Sequence, residues 1–404
     1  MKYRIIALLA LVPMLIFSCV ENAPEDPEKE PEEQVDPQPD PPTPATPADD
    51  LAPEVKDGDT ILVTHANMEK FVTQVSYPEN DYSFTHILDD EYAPTAPGNA
   101  DKPQSYTIRW TADETLGAPT VRLWEDDGWS REYTGLDAKD YYLTITNMRP
   151  NADYHFKVTA GETTLKEGSF RTIGHVHQVF FYKQVRNARD LGGWKTKDGK
   201  KMVKYRKIYR GGRLEKGTLL IPKGKADLLA EGIRAELDLR GKSDVQSEPP
   251  IPELEFCAPV IEEGYRTLLE KDQEKLLACW NFIYKCVTED KPVYFHCSLG
   301  RDRTGTIAML ILGILGVHEG EISKEYELTQ FAPHGWATSD KEKTKMTRKK
   351  GVDYDSAAGY IWSFGEEGSE FADCMKAYLV SLGVPEADIE NFRTLMLEDI
   401  VEEN

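Results

Sequence analysis

The hydrophobic pattern of the chain changes near Gly174, and this change is the strongest constraint on its fold. From about Lys56 to Thr172, short runs such as SYTIRWTA, TVRLWED and DYHFKVTAG alternate polar and apolar residues with a period of two. Such runs, separated by turn residues, are typical of an all-β sandwich. After Gly174, short apolar strands alternate with amphipathic helices, which indicates α/β layers. We therefore predict a sandwich over residues 56–173 and an α/β domain over residues 174–404.

The N-terminus has the pattern of an export signal. Lys2 and Arg4 precede an apolar run from Ile5 to Phe17, and Cys19 follows. The ending IFSC resembles the lipobox of bacterial lipoproteins, in which the cysteine is lipidated and becomes the mature N-terminus. We expect a lipoprotein signal peptide over residues 1–19 with lipidation at Cys19. An ordinary cleaved signal peptide is the alternative.

Residues 20–55 cannot form a folded core. They contain twelve Asp and Glu, one Lys and ten Pro, and this excess of eleven negative charges is half of the net charge of −22. Repelling charges and prolines favour extended, disordered chain, so this segment is predicted to be a tether. We expect an exported protein, lipid-anchored to the bacterial cell envelope. The acidic balance argues against a nucleic-acid partner.

The six cysteines do not form a ligand pattern. No CxxC or Cys/His spacing occurs in the sequence, so we predict neither a metal site nor a cofactor. Cys279 and Cys286 lie seven residues apart, on one face of a predicted helix, and are expected in the core.

Cys297 lies between a strand, PVYFH, and an apolar helix, RTGTIAMLILGILG. A loop that ends at a helix N-terminus leaves backbone N–H groups without partners, and these can bind an anion. Arg303 offers a planar fork for two phosphate oxygens. The same positive field lowers the pKa of a cysteine, which makes Cys297 a candidate thiolate nucleophile, with Thr304 as a hydrogen-bond donor to the sulfur. The candidate phosphate-binding residues are Ser298, Leu299, Gly300, Arg301, Asp302 and Arg303.

The stretch HCSLGRDRTG resembles the signature His-Cys-x-x-Gly-Lys-Asp-Arg-Thr-Gly of a bacterial group of cysteine-dependent tyrosine and lipid phosphatases. Arg301 stands where that group has lysine. The resemblance implies hydrolysis of a phosphate monoester through a phosphocysteine, with Cys297 as nucleophile and Arg303 as phosphate clamp. The substrate class that it implies is a protein carrying phosphotyrosine, or a dual-specificity range. A phosphoinositide or inositol phosphate is the alternative, and an inactive module that binds phospho-ligands is the alternative from another class.

Further motifs of the same group occur in the expected order between residues 179 and 329. NARDLGGW resembles its Asn-x-Arg-Asp-Leu-Gly-Gly motif, and IYRGGRL resembles its Tyr-Arg-Ser-Gly-x-Leu element, with Gly211 in place of serine. The resemblance implies that Arg189, Asp190 and His296 support the loop. The run Asp340 to Lys350 is basic; it either lines a rim that attracts acidic substrates or lipid headgroups, or forms a solvated loop.

Two carboxylates are candidates for the general acid that protonates the leaving oxygen, a role worth roughly 10²–10⁴ in rate. Asp302 lies inside the loop, where the resemblance places the acid. Asp238 lies at the end of a predicted strand, and its alternative role is a structural partner of Arg240.

The segment before Gly174 also carries a resemblance. Met148, Pro150 and Tyr154 match the Leu-x-Pro-x-x-x-Tyr corner of fibronectin type III domains. The predicted architecture is therefore an immunoglobulin/fibronectin III-like sandwich followed by an α/β cysteine-phosphatase domain with a central sheet flanked by helices. Such a sandwich carries no functional assignment of its own.

Overall fold

The computed structural model of the protein describes residues 51–75, 77, 92, 99–181, 185–214, 222–332 and 349–400. The predicted signal peptide, Cys19, nearly all of the tether and residues 340–348 of the basic run lie outside the described residues. In the described part of the chain, no helix is both long enough and apolar enough to cross a membrane.

The first half of the described chain forms two small sheets around one core. Their strands are β1 (Asp59–Leu62), β2 (Tyr106–Arg109), β3 (Pro119–Glu125), β4 (Ser130–Tyr133), β5 (Tyr142–Ile145), β6 (Asp153–Ala160) and β7 (Thr163–Ile173). The larger sheet has the order β1-β7-β6-β3-β4, and β2 pairs with β5. All pairings are antiparallel except that of β1 with β7. Alternate residues of β3 and β6 are buried, as the period of two predicts.

The corner before β6 has the contact that its sequence suggests. The backbone N–H of Arg149 donates to the hydroxyl of Tyr154 at 3.0 Å. This is the hydrogen bond of a tyrosine corner, in which a buried tyrosine closes the loop that leads into its strand. The assignment of these sheets to the fibronectin type III family stays a prediction.

The second half is built on a mostly parallel sheet. Its strands, with those of a small hairpin, are β8 (Arg189–Asp190), β9 (Lys201–Val203), β10 (Ile208–Gly211), β11 (Ala235–Asp238), β12 (Glu255–Cys257), β13 (Val293–His296) and β14 (Leu397–Asp399). The sheet order is β12-β11-β13-β10-β8, with only β8 antiparallel, while β9 pairs with β14. Every residue of β10, β11 and β13 is buried, as expected for a parallel sheet covered on both faces.

Helices surround this sheet. They are α1 (Ala66–Gln74), α2 (Pro222–Ala230), α3 (Tyr265–Lys271), α4 (Gln273–Thr288), α5 (Asp302–Ile314), α6 (Glu319–Glu327), α7 (Asp355–Trp362), α8 (Phe371–Ser381) and α9 (Glu386–Met396). A short π-helix, Lys349–Tyr354, leads into α7. The helix α5 is central, because all its residues from Thr304 onward are buried. Cys279 and Cys286 are both buried on α4.

The helix α1 precedes Gly174 in sequence but packs in the core of the second half. Phe71 is fully buried and its ring meets the edge of Phe331 at a centroid distance of 6.0 Å. Lys324 on α6 donates to the carbonyl of Val72 at 3.0 Å, so it satisfies an acceptor in the last turn of α1. The α/β core therefore includes residues from the segment predicted to form the sandwich.

A network of ion pairs joins the two halves, and residues 50–404 form one compact unit. Glu125 on β3 accepts from Arg149 and from Arg206, each at 2.5 Å, and Arg206 also donates to the Tyr154 hydroxyl. Arg206 lies just before β10, at the end of the sheet opposite the carboxyl ends of the parallel strands. The two sheets of the first half thus contact the amino-terminal end of these strands, whereas Cys297 follows the carboxyl end of β13.

Candidate active site

The cysteine loop, residues 297–303, connects β13 to α5 at the carboxyl end of the sheet, where ligands of open α/β sheets bind. Cys297 is only 3% exposed. Gly300 has φ of +72°, and a Cβ there would lie 2.4 Å from the backbone carbon of Gly211. Only glycine fits both the backbone conformation and the close approach of the neighbouring strand end.

Three consecutive carbonyl groups of the loop accept hydrogen bonds from residues outside it. Ser298 O accepts from the backbone N–H of Arg213 at 3.3 Å. Asn187 Nδ2 donates to Leu299 O at 3.2 Å and to Gly300 O at 2.9 Å. Because C=O and N–H point in opposite directions in a trans peptide, the N–H groups of residues 299–301 are directed to the other side of the loop. That arrangement suits an anion held by backbone N–H groups.

A buried ion-pair network supports the loop from below. Glu325 on α6 accepts from Arg189 at 2.8 Å through one carboxylate oxygen and from Arg210 at 2.7 Å through the other. Arg210 also donates to Gly300 O, and Arg189 donates to Asn187 Oδ1 at 2.5 Å. The two arginines are 0–2% exposed, and Arg189 is held by its contacts to Glu325 and Asn187 beneath the loop.

Asp190 also has a supporting position. Its carboxylate accepts from the backbone N–H of Gly192 at 2.9 Å and of Arg206 at 2.5 Å. It also meets His177 Nδ1 at 3.1 Å. Asp190 therefore holds the turn after β8 against the start of β10.

His296 lies at the end of β13 and is fully buried. Its Nε2 meets Glu236 at 2.8 Å, and its Nδ1 faces the carbonyl of Cys297 at 3.3 Å. Burial lowers the pKa of His296, but the hydrogen bond to Glu236 and the charge of Asp238 outweigh this effect and raise it. The imidazole of His296 is thus held between Glu236 and the carbonyl of Cys297, at the point where β13 enters the loop.

The electrostatic environment of Cys297 favours the thiolate. Burial by itself raises the pKa of the thiol, but the charge of Arg303 and the hydroxyl and backbone N–H of Thr304 lower it below the ordinary value. Thr304 Oγ1 is buried and makes no hydrogen bond of ordinary geometry to a described residue. Its dipole is nevertheless among the groups that stabilise the negative sulfur.

The guanidinium of Arg303 is held by a hydrogen bond at one nitrogen, which leaves its other nitrogens for a ligand. Its Nη1 donates to the carbonyl of Ile261 at 2.9 Å. No hydrogen bond from Nε or Nη2 to another described residue is present. Gly264 packs so closely that a Cβ there would lie 2.9 Å from the backbone N of Arg303. The segment from Ile261 to Gly264 thus sets the position of the guanidinium.

The two candidate acids lie in different surroundings. Asp238 is fully buried and its oxygens accept from the side chain of Arg240 at 2.8 Å and from the backbone N–H of Arg240 and Gln246. Burial raises the pKa of Asp238, but the charges of His296 and Arg240 lower it overall. A carboxylate bonded in this way holds the strand end.

Asp302 lies at the first position of α5 with 21% of its side chain exposed. Arg301 Nε meets its Oδ1 at 3.1 Å, Lys349 Nζ lies 3.6 Å from the same atom, and the Tyr265 hydroxyl donates to it. Burial by itself raises the pKa of Asp302. The charges of Arg301 and Lys349 outweigh burial and bring the pKa down to about 2. Asp302 is therefore at the rim of the site, and it is ionised in the ligand-free protein.

Four residues that sequence reasoning did not single out for the site contribute to it: Tyr265, Glu325, Asp101 and Asp244. Tyr265 has φ of +56° and its hydroxyl also bonds Tyr326 at 2.6 Å. Asp101 accepts from the N–H of Asn187 at 2.9 Å, and Ser298 Oγ donates to Asp244 at 2.9 Å. No local pattern marks these residues.

In the described residues there is no group of three or more His, Cys, Asp or Glu that fits a metal ion. The five cysteines of the described chain are all unpaired thiols.

Comparison with known proteins places the second half of the chain among phosphatases. Residues 181–398 match the model of the tyrosine phosphatase family. A tyrosine-protein phosphatase from Nostoc commune is 29% identical over 114 residues, which are 26% of this chain and 39% of that relative. The chain thus matches about two fifths of the length of this curated relative. With more than half of its residues matched by the family model, the chain belongs to the tyrosine phosphatase family.

Proposed function

We propose that the protein is a phosphate monoester hydrolase that acts through a phosphocysteine at Cys297. The observation that carries this proposal is the environment of the sulfur. The thiol is buried and its pKa is lowered. Because the neighbouring loop carbonyls are bonded to Asn187 on one side, the loop N–H groups point to the other side, where an anion could bind. Negative charge that develops on the phosphoryl oxygens would be stabilised by such fixed donors and by Arg303.

The proposed reaction has two steps. The Cys297 thiolate attacks phosphorus, the S–P bond forms and the ester P–O bond breaks, while Asp302 gives its proton to the leaving oxygen. Water then attacks the phosphocysteine, Asp302 takes a proton from that water, and inorganic phosphate and the thiolate are released. Thr304 stabilises the sulfur as it leaves. Asp302 is preferred over Asp238 because it is partly exposed at the rim, whereas Asp238 is fully buried.

The mechanism is tested with an aryl phosphate such as p-nitrophenyl phosphate. We expect Cys297→Ser to abolish turnover and Arg303→Lys to weaken both phosphate binding and turnover, because a lysine cannot grip two oxygens. Cys257→Ser is the matched control and should retain full activity, because Cys257 lies on β12, outside the loop. Full hydrolysis by Cys297→Ser would refute the mechanism. Phosphate binding without turnover in the unaltered protein would support the inactive-module alternative.

We infer a protein substrate with phosphotyrosine, or a dual-specificity range. The alternative, a phosphoinositide or inositol phosphate, is favoured by one observation: Arg301 and Lys349 place two cations beside Asp302 at the rim. Initial rates on phosphotyrosine peptide, phosphoserine peptide, phosphoinositides and phytate distinguish the two. A kcat/KM at least tenfold higher for the peptides supports the first, and the reverse ranking supports the second.

Export and lipid anchoring are proposed from the N-terminal sequence alone. The lipobox-like IFSC and the acidic tether support an enzyme held at the cell envelope, with its substrate there. Metabolic labelling with a fatty acid tests this, since Cys19→Ala should lose the label and leave the membrane fraction. A retained label in that variant would show that Cys19 is not the lipidated residue.

A further inference from the structure

Lys349 lies next to the proposed general acid, Asp302, but has no role in the two steps proposed above. It begins a π-helix, a rare conformation that is frequent at functional sites. Its Nζ lies 3.6 Å from Asp302 Oδ1, 3.7 Å from Asp353 Oδ2 and 5.3 Å from the ring centre of Tyr265. With 28% of its side chain exposed, Lys349 lies between the carboxylate of Asp302 and solvent.

The groups around Asp302 make it a poor acid when no ligand is bound. The titratable and charged groups that face it are Arg301, Arg303 and Cys297 from the loop, Tyr265 from α3, Tyr326 from α6 and Lys349 from the π-helix. The charges of Arg301 and Lys349, with hydrogen bonds from Tyr265 and Arg301, hold its pKa at about 2 against the effect of burial. At neutral pH a carboxyl group with that pKa carries no proton to donate. A cation must therefore leave it before it acts.

Of the two cations, Lys349 is the one able to move. Arg301 is 3% exposed and contacts Asp302 through two nitrogens, so its position is fixed by burial. Lys349 meets Asp302 at 3.6 Å, longer than a good charge-assisted hydrogen bond, and a lysine side chain reorients easily. A phosphate ester in the loop brings two negative charges close by and competes for this ammonium group.

We propose that Lys349 is a positioning residue for the hydrolysis proposed above, pairing with Asp302 in the ligand-free enzyme and shifting to the phosphate ester when substrate binds. The shift leaves Asp302 next to a dianion, and it then takes up a proton from solvent, which it passes to the leaving oxygen. Lys349 thereby couples substrate binding to the supply of that proton. This inference rests on Asp302 being the general acid.

The test compares the full chain with Lys349→Met, Lys349→Arg and Asp353→Asn, using p-nitrophenyl phosphate. Activity falls as pH rises through the pKa of the acid. Lys349→Met should move this descending limb of the kcat/KM profile, which reports the free enzyme, to higher pH by roughly one unit, because a cation that favours the carboxylate is lost. Inorganic phosphate should inhibit that variant about tenfold less strongly. Lys349→Arg should restore both properties in large part.

Asp353→Asn should move the limb in the opposite direction. It removes a negative charge and the other partner of Lys349, so the ammonium stays with Asp302 and the limb moves to lower pH. Both Lys349→Met and Asp353→Asn disturb the π-helix. If Lys349 only stabilised that helix, the descending limbs of the two variants would shift in the same direction. Such a result would overturn the proposal. Melting temperatures of all variants show whether each is folded.

Asp302→Asn separates this inference from the proposed function. If it removes the descending limb while Lys349→Met leaves the limb unchanged, the acid is Asp302 but the role of Lys349 is wrong. If Asp302→Asn keeps the limb, Asp302 is not the acid, and both proposals about this carboxyl fail. A shifted limb in Lys349→Met with unchanged inhibition by phosphate would overturn the transfer of Lys349 to the substrate.

Discussion

The hydroxyl of Tyr294 occupies the space that a side chain at Gly211 would need. A Cβ at position 211 would lie 2.2 Å from Tyr294 Oη and 3.0 Å from the Cα of Ala188. Tyr294 is fully buried, and its hydroxyl donates to the carbonyl of Gly212 at 2.6 Å. This chain therefore has glycine where the phosphatases that it resembles have serine. A side chain at position 211 and the hydroxyl at position 294 therefore compete for the same space.

We expect Gly211→Ser to destabilise the protein by about 1–3 kcal/mol, the usual cost of overpacking a core. Tyr294→Phe in the same chain should recover part of this loss, since it removes the nearest atom. By itself, Tyr294→Phe should also destabilise, because Gly212 O then lacks its donor. Urea unfolding of the two single variants and the double variant gives the coupling. If the free-energy changes simply add, the two positions are independent and this explanation of Gly211 fails.

Glu325 is the residue on which the support of the loop depends. Glu325→Gln should destabilise the protein by about 3–5 kcal/mol, because Arg189 and Arg210 are then buried without a counter-charge. It should also lower kcat, since Arg210 holds the carbonyl of Gly300. Glu321→Gln on the same helix is the control, because that carboxylate is half-exposed and pairs with Lys324 rather than with these two arginines. Equal unfolding free energies for the two variants would contradict this prediction.

The features that sequence reasoning could predict are local. The order of strand, loop and helix around Cys297 is encoded within some twenty consecutive residues, and so are the glycines that the loop requires. The period of two in β3 and β6 likewise follows from neighbours in the chain. Family membership could be predicted because several short motifs occur in a fixed order, and the family comparison confirmed it.

The remaining features depend on contacts between distant segments. Tyr265 reaches Asp302 across 37 positions, and Glu325 reaches Arg189 across 136. No spacing rule relates such pairs, because the fold alone brings them together. The same holds for α1, whose pattern is compatible with either core. The resemblance favours Asp302 over Asp238 as the acid, and the sequence could not predict that Asp238 is fully buried while Asp302 is partly exposed.

Because α1 packs in the α/β core, we expect a chain that begins at residue 174 to lose stability and activity. A chain of residues 174–404 lacks Phe71, which packs against Phe331. It also lacks Asp101, which accepts from the backbone N–H of Asn187. Asn187 in turn holds the carbonyl of Gly300 in the loop. We expect this chain to be unstable and to have little activity, whereas residues 50–404 keep the stability of the whole. Thermal unfolding and turnover of p-nitrophenyl phosphate measure both. An active, cooperatively folded 174–404 chain would show that α1 is dispensable.

The lowered pKa of Cys297 predicts a thiol that reacts at unusually low pH. Because only the thiolate is alkylated, the rate of reaction with iodoacetamide should reach half of its maximum below the pH at which an ordinary cysteine does. Thr304→Ala should move this midpoint to higher pH, since a dipole that favours the negative sulfur is lost, and Thr304→Ser should keep it. Mass spectrometry of peptides assigns the modified residue and separates it from Cys257, whose pKa is raised by burial. An unchanged midpoint in Thr304→Ala would leave Arg303 as the main cause of the thiolate, and an ordinary midpoint in the unaltered protein would contradict the thiolate itself.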